Sequence, residues 1–176
     1  EGAFVNLVGH CQVVSSVAFS PDARLLATAG GRFFCPGEVQ LWNLADRSPR
    51  QVLEGLCDQA LDVAFSPDSR TLAIAARDGT LCLWDVELGK PRCCWRGHHR
   101  AAFFVAFACG GRVLLSASED STVKAWDPIT GHPIGLLTHP CWQPSTGQIF
   151  SAALSPDGTI LATGSVYGHI RLWKLP

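Results

Sequence analysis

With 176 residues, 14 Lys and Arg against 15 Asp and Glu, and a formal charge of −1, the chain has no general attraction for nucleic acid or an anionic membrane, both of which demand clustered cations. Its 47% hydrophobic and 16% charged residues exclude a disordered chain, and no apolar run reaches the length of a membrane-spanning helix. The 17 Gly and 11 Pro suit short strands and tight turns.

In chain order, Ala3 to Val8 (AFVNLV) reads as a short strand before Gly9-His10. Ser15 to Asp22 (SSVAFSPD) then alternates toward a turn, LLATAG follows, and VQLW ends at Trp42. An insertion, Gly30 to Glu38 (GGRFFCPGE), carries Phe33 and Phe34 and is expected to pack onto its own unit more readily than to anchor a partner. The order then repeats, because LDVAFSPD, LAIAAR and LCLW lead to Trp84. FVAFACGG, LLSASE and VKAW lead to Trp126, and SAALSPDG, LATGSV and IRLW lead to Trp173. The four Trp lie 42, 42 and 47 residues apart. Such self-similarity marks an array of small units that bury their faces only by stacking. Arg50 to Leu53, Arg92 to Trp95 and Ile134 to Leu137 read as outer strands closing the first three units. The loop His139 to Gln148, with Trp142 between Pro140 and Pro144, is weighed like the first insertion.

The Gly-His openings at Gly9-His10 and Gly97-His98, and the Trp-Asp closings at Trp84-Asp85 and Trp126-Asp127, resemble the WD-repeat family of β-propellers. The resemblance covers nearly the whole chain and implies an all-β fold, with four blades of antiparallel four-stranded sheet in one segment, residues 1–176. Repeats fall at about 9–53, 54–95, 96–137 and 138–176. It also implies that Ala3 to Val8 supplies the outer strand missing from the fourth blade, or else stays at an open edge. Four blades would make a tight ring, so the segment is expected to be completed by further blades of a longer parent chain. The absence of any Met is read as that of a processed chain or a piece of a longer one, and no signal peptide is visible in EGAFVNLVGH.

Three chemical readings compete. His98, Ser116 and Asp120 could form a hydrolase triad, with His98 as base and Asp120 orienting it. The family resemblance instead implies a structural tetrad of His98, Ser116, Asp120 and Trp126. By position the first repeat has His10, Thr28 and Trp42 with Pro36 in the Asp position. The second has Leu56, Ile74, Asp78 and Trp84, an apolar exchange of both His and Ser partners that is expected to be nearly neutral. The fourth has His139, Thr163, Tyr167 and Trp173. Zinc at Cys93, Cys94, His98 and His99 is rejected, because adjacent strand residues face opposite ways and no second cluster completes four ligands. No phosphate loop is present, so no cofactor is expected. The eight Cys are read as thiols rather than a disulfide framework.

The family resemblance therefore implies a protein-interaction scaffold, not an enzyme. It is expected to serve a larger cytoplasmic or nuclear complex, with no membrane or nucleic-acid partner. A ribonucleoprotein-associated scaffold touching nucleic acid is the further alternative. The family's docking face maps onto Ser15, Leu61, Phe103 and Phe150 at the inner strands, and onto Arg77 and Glu119, with Val166, before the tight turns. The competing reading has Phe103 and Phe150 filling space between blades.

Overall fold

A computed structural model of the chain describes residues 5–32, 34–138 and 148–175. Each repeat folds as an antiparallel meander. The first sheet holds β1 (Val14–Phe19), β2 (Leu25–Gly30), β3 (Glu38–Asn43) and β4 (Ser48–Leu53). The second holds β5 (Ala60–Phe65), β6 (Thr71–Ala76), β7 (Thr80–Asp85) and β8 (Lys90–Arg96). The third holds β9 (Ala102–Ala108), β10 (Val113–Ser118), β11 (Thr122–Trp126) and β12 (Pro133–Thr138). The fourth, among the described residues, holds only β13 (Ile149–Leu154), β14 (Ile160–Ser165) and β15 (Ile170–Lys174). Residues 5–8 join no sheet, so the expected strand there is absent from its described part and does not complete the fourth blade.

The SPD tripeptides explain the first turn of the first, second and fourth meanders, whereas the third turns at Cys109–Gly111. Ser20 Oγ donates to Asp22 Oδ1 at 2.6 Å while accepting the Leu25 amide at 2.8 Å. Ser66 does the same with Asp68 and the Thr71 amide, and Ser155 with Asp157 and the Ile160 amide. A short polar side chain thus supplies the partner that the reversing backbone lacks.

The sheets stack through alternate residues of each strand. Leu72 and Ile74 of β6 face the first sheet, where they meet Ala27, Ala29, Val39 and Leu41. Ala73 and Ala75 face the third, with Leu81, Leu83, Ala102 and Leu114. Leu115, Ala117 and Val123 meet Ile149 and Leu161 of the fourth. All six residues of β6 are buried because sheets cover both its faces, which is why its sequence reads as an unbroken apolar run. The inner strands carry the contacts between sheets: β5 leans on β1 and β2, β9 on β5 and β6, and β13 on β9 and β10.

The outer faces of the two end sheets remain uncovered. Phe19 is 67% exposed on β1, and Leu172 is 72% exposed on β15. Trp42, at the same end as Phe19, is buried because residues around Gly9 lie across it; a Cβ at Gly9 would strike Gln40 and the indole ring.

Two further expectations change. Cys82 and Cys94 form a disulfide, so these two are not thiols. Phe34 does not pack onto its own blade: it is exposed, its backbone amide donating to Asp58 Oδ1 at 3.3 Å. Phe33, His139, Pro140, Trp142 and Pro144 lie outside the described residues.

Candidate partner-binding face and its hydrogen-bonded support

The third sheet brings His98, Ser116, Asp120 and Trp126 together. His98 sits before β9, Ser116 in the middle of β10, Asp120 in the β10–β11 turn and Trp126 at the end of β11. Ionised Asp120 can only accept, which fixes the proton order along the chain of contacts. Trp126 Nε1–H donates to Ser116 Oγ at 2.8 Å, and Ser116 O–H donates to His98 Nε2 at 2.7 Å. His98 Nδ1–H then donates to Asp120 Oδ2 at 3.0 Å. The His99 amide adds a bond to Oδ2 at 3.1 Å, and Thr122 bonds to Oδ1 through both its amide and its hydroxyl. Burial pushes the Asp120 carboxyl up, but the bonds from His98, Thr122 and the His99 amide outweigh it and hold the group well below the usual carboxylate range.

Gly97 explains the dipeptide before β9. A Cβ there would lie 2.7 Å from Leu81 and 3.1 Å from the Trp126 ring, so only Gly lets the backbone approach closely enough to deliver His98.

The other repeats keep parts of this arrangement. His10 Nε2 meets Thr28 Oγ1 at 2.6 Å, and Trp42 Nε1–H donates to the same hydroxyl at 2.9 Å. The acid missing at Pro36 is replaced by Glu38, the first residue of β3, whose Oε2 lies 3.3 Å from His10 Nδ1 without the alignment of a hydrogen bond. In the fourth repeat Trp173 Nε1–H donates to Thr163 at 2.9 Å, while Tyr167 points into solvent and His139 lies outside the described residues. The second repeat exchanges both polar partners but keeps the indole. With Leu56 and Ile74 in place of polar partners, the buried Trp84 Nε1 has no hydrogen-bond partner, an omission that costs roughly 1–3 kcal/mol.

The residues mapped to the docking face share one backbone feature. The pairing of inner and middle strands slips between Val14 and Ser16, between Ala60 and Asp62, and between Ile149 and Ser151. On β9 it slips where Ala102 and Phe104 oppose Ser118 and Ala117. Ser15, Leu61, Phe103 and Phe150 are therefore the extra residue of a β-bulge in all four sheets. A bulge leaves that residue out of the ladder and re-aims its side chain. The same end of each sheet carries the turn residues, since the amides of Arg77, Glu119 and Val166 donate to the carbonyls of Gln59, Ala101 and Gln148.

Within the row, Phe103 and Phe150 stack with ring centroids 4.9 Å apart and planes inclined by 28°, and Phe150 stays 48% exposed. Leu61, Arg77, Phe103 and Glu119 are half-buried. Ser15 is exposed, and its hydroxyl donates across the seam to the Ala60 carbonyl. Beneath the row, Asp62 spans three sheets, accepting from Ser16 Oγ at 2.7 Å through Oδ1 and from the Val105 amide at 2.9 Å through Oδ2. Sequence alignment did not single out Asp62; its signal was a charged residue in an otherwise apolar strand, LDVAF. Among the described residues no group of three His, Cys, Asp or Glu converges as a metal site.

The family model described as WD domain, G-beta repeat, matches residues 4–43, 47–85, 89–127 and 131–174. No curated protein matches the sequence. Among solved structures, the crystal structure of the RRP9 WD40 repeats is similar with a TM-score of 0.82 at 24% identity, over 97% of this chain and 50% of that one. The structure of U3-55K is similar with a TM-score of 0.83 at 23% identity, over 97% of this chain and 51% of that one. The chain thus spans about half the length of each, and at these identities the likeness concerns the fold.

Proposed function

This chain belongs to the WD-repeat family, and on that premise we propose that it is a non-catalytic platform that holds protein partners on the row of bulge residues. Ser15, Leu61, Phe103 and Phe150 with Arg77 and Glu119 form the docking face. The observation that carries the reading is the recurrence of one bulge at one strand position in all four sheets, with the Phe103–Phe150 stack part-exposed at its end. A rigid sheet with a re-aimed apolar side chain supplies what an interface centre needs, aromatic area flanked by charge.

The hydrolase reading has the right atom order, from Ser116 Oγ through His98 to Asp120. Burial weighs against it. Ser116 and His98 are almost inaccessible, and Ser116 Oγ already accepts the Trp126 indole N–H, so a carbonyl substrate has no approach to the hydroxyl.

The uncovered end sheets support a longer propeller, in which further blades cover Phe19 on one side and Leu172 on the other. The solved structures of twice the length favour the same reading. Residence in the cytoplasm or nucleus, within a larger complex, belongs to this proposal.

The test is quantitative co-purification with the Phe103→Ser/Phe150→Ser variant, alongside its thermal melt. Loss of specific co-purifying proteins with an unchanged melt supports the platform; an unchanged protein set with an unchanged melt refutes the face.

A further inference from the structure

A groove of about 870 Å³ runs along the rim between β8 and β12, the outermost strands of the second and third sheets. Its floor is apolar. Trp95 and Trp126 meet with centroids 5.5 Å apart and planes tilted by 60°, and Leu136 stands at the β12 wall, 58% exposed. The Trp95 indole N–H is buried and has no hydrogen-bond partner, although buried donors are nearly always satisfied.

The charge around this floor has one sign. Arg96 and Lys124 line the groove beside the imidazoles of His99 and His132, and among the described residues no Asp or Glu lines it. Asp120, the carboxylate of the tetrad, is taken up by His98, Thr122 and the His99 amide. Lys124 Nζ donates to the Gly97 carbonyl at 2.6 Å and lies 5.7 Å from the centroid of the Trp126 ring, so its cation is fixed in place. Both walls are edge strands, and an edge presents unpaired backbone N–H and C=O groups.

We propose that this groove is a second docking site, for an extended segment of a partner protein in which carboxylates alternate with bulky apolar side chains. The apolar side chains cover Trp95 and Leu136, the carboxylates meet Arg96 and Lys124, and a backbone carbonyl accepts the Trp95 N–H. The segment's main chain pairs with an exposed edge, the mode by which sheets commonly recruit peptides. Phosphates would also be drawn by the cations, but single-stranded nucleic acid needs open aromatic faces for its bases. Here the two indoles are tilted against each other and Trp126 is buried. The site is separate from the bulge row and does not rest on its role.

The test uses the whole chain and three fluorescent probes: a synthetic peptide alternating Glu with Leu and Phe, the same peptide with Lys for Glu, and oligouridine. Anisotropy reports binding, and the Trp95 indole N–H signal in a nitrogen-correlated NMR spectrum reports its place. The expected result is saturable binding of the acidic peptide, a shifted Trp95 signal, and affinity weakened about tenfold by Leu136→Asp or Arg96→Glu. Phe103→Ser should leave that affinity unchanged. The proposal is overturned if the acidic peptide does not bind, if the Lys peptide or oligouridine binds as well or better, or if Leu136→Asp, folded by its melt, binds like the parent.

Discussion

Ser16 on β1 and Asp62 on β5 meet at 2.7 Å across the seam between the first two sheets, and the other oxygen of the same carboxylate takes the Val105 amide of the third. One side chain thus fastens three inner strands. Burial pushes its carboxyl above the ordinary value of 3.8, against the pull of the Ser16, Val105 and Val63 bonds. A carboxyl raised in the folded state keeps its proton to higher pH than in the unfolded chain, so its contribution to stability falls as pH rises through that window.

Asp62→Asn keeps an acceptor for Val105 and offers a donor to Ser16 without the charge. Denaturant unfolding should find it at least as stable as the parent near about pH 7, with its advantage shrinking as pH falls toward the unfolded carboxyl value. An advantage that grows on acidification would contradict the assignment.

Asp120 behaves in the opposite sense. Its carboxyl is lowered in the fold, so the stability it contributes is present above 3.8 and drains away as pH falls below that value. Asp120→Asn should therefore cost stability at neutral pH and blunt the acid loss. A parallel pair of acid-unfolding curves for parent and variant would refute this.

Trp84 and Trp126 hold one position in successive repeats, but only the second has an acceptor. Exchange to Phe removes an orphaned donor in one case and a satisfied bond in the other. Trp84→Phe should be milder than Trp126→Phe by about 1–2 kcal/mol in urea unfolding. Equal losses would show that indole packing alone decides the cost.

Cys82 and Cys94 join β7 to the edge strand β8 across 12 residues of sequence. Closing a loop of that size restrains the unfolded chain by roughly 3 kcal/mol on the entropic account. Cys94→Ala should lower the melting temperature in oxidising buffer and leave it unchanged with reductant present. If the chain resides in the cytoplasm or nucleus as proposed, both thiols should be alkylated in protein taken directly from cells, and protection of both would overturn that residence.

The strand order and the four Trp were legible because each strand writes its own period and each turn its own SPD or Gly signal. What escaped the sequence depended on register. Counted outward from the Asp85–Lys90 pair, an unbroken ladder would put Cys82 opposite Cys93. The bulge between Leu83 and Trp84 moves the partner to Cys94. In the same way, counting positions in the first repeat reached Pro36, whereas the longer loop lets Glu38 approach His10 from the start of β3. The docking residues were placed by family resemblance; that each is a bulge could be seen only from how two strands pair.

Because β6 is covered on both sides while β15 borders solvent, the stack should open like a zip from its fourth sheet inward, not all at once. In deuterium exchange, amides of β14 and β15 would label within the earliest times and those of β6 last. The middle of the arc would then serve as its memory of shape while its rim and ends meet and release other molecules.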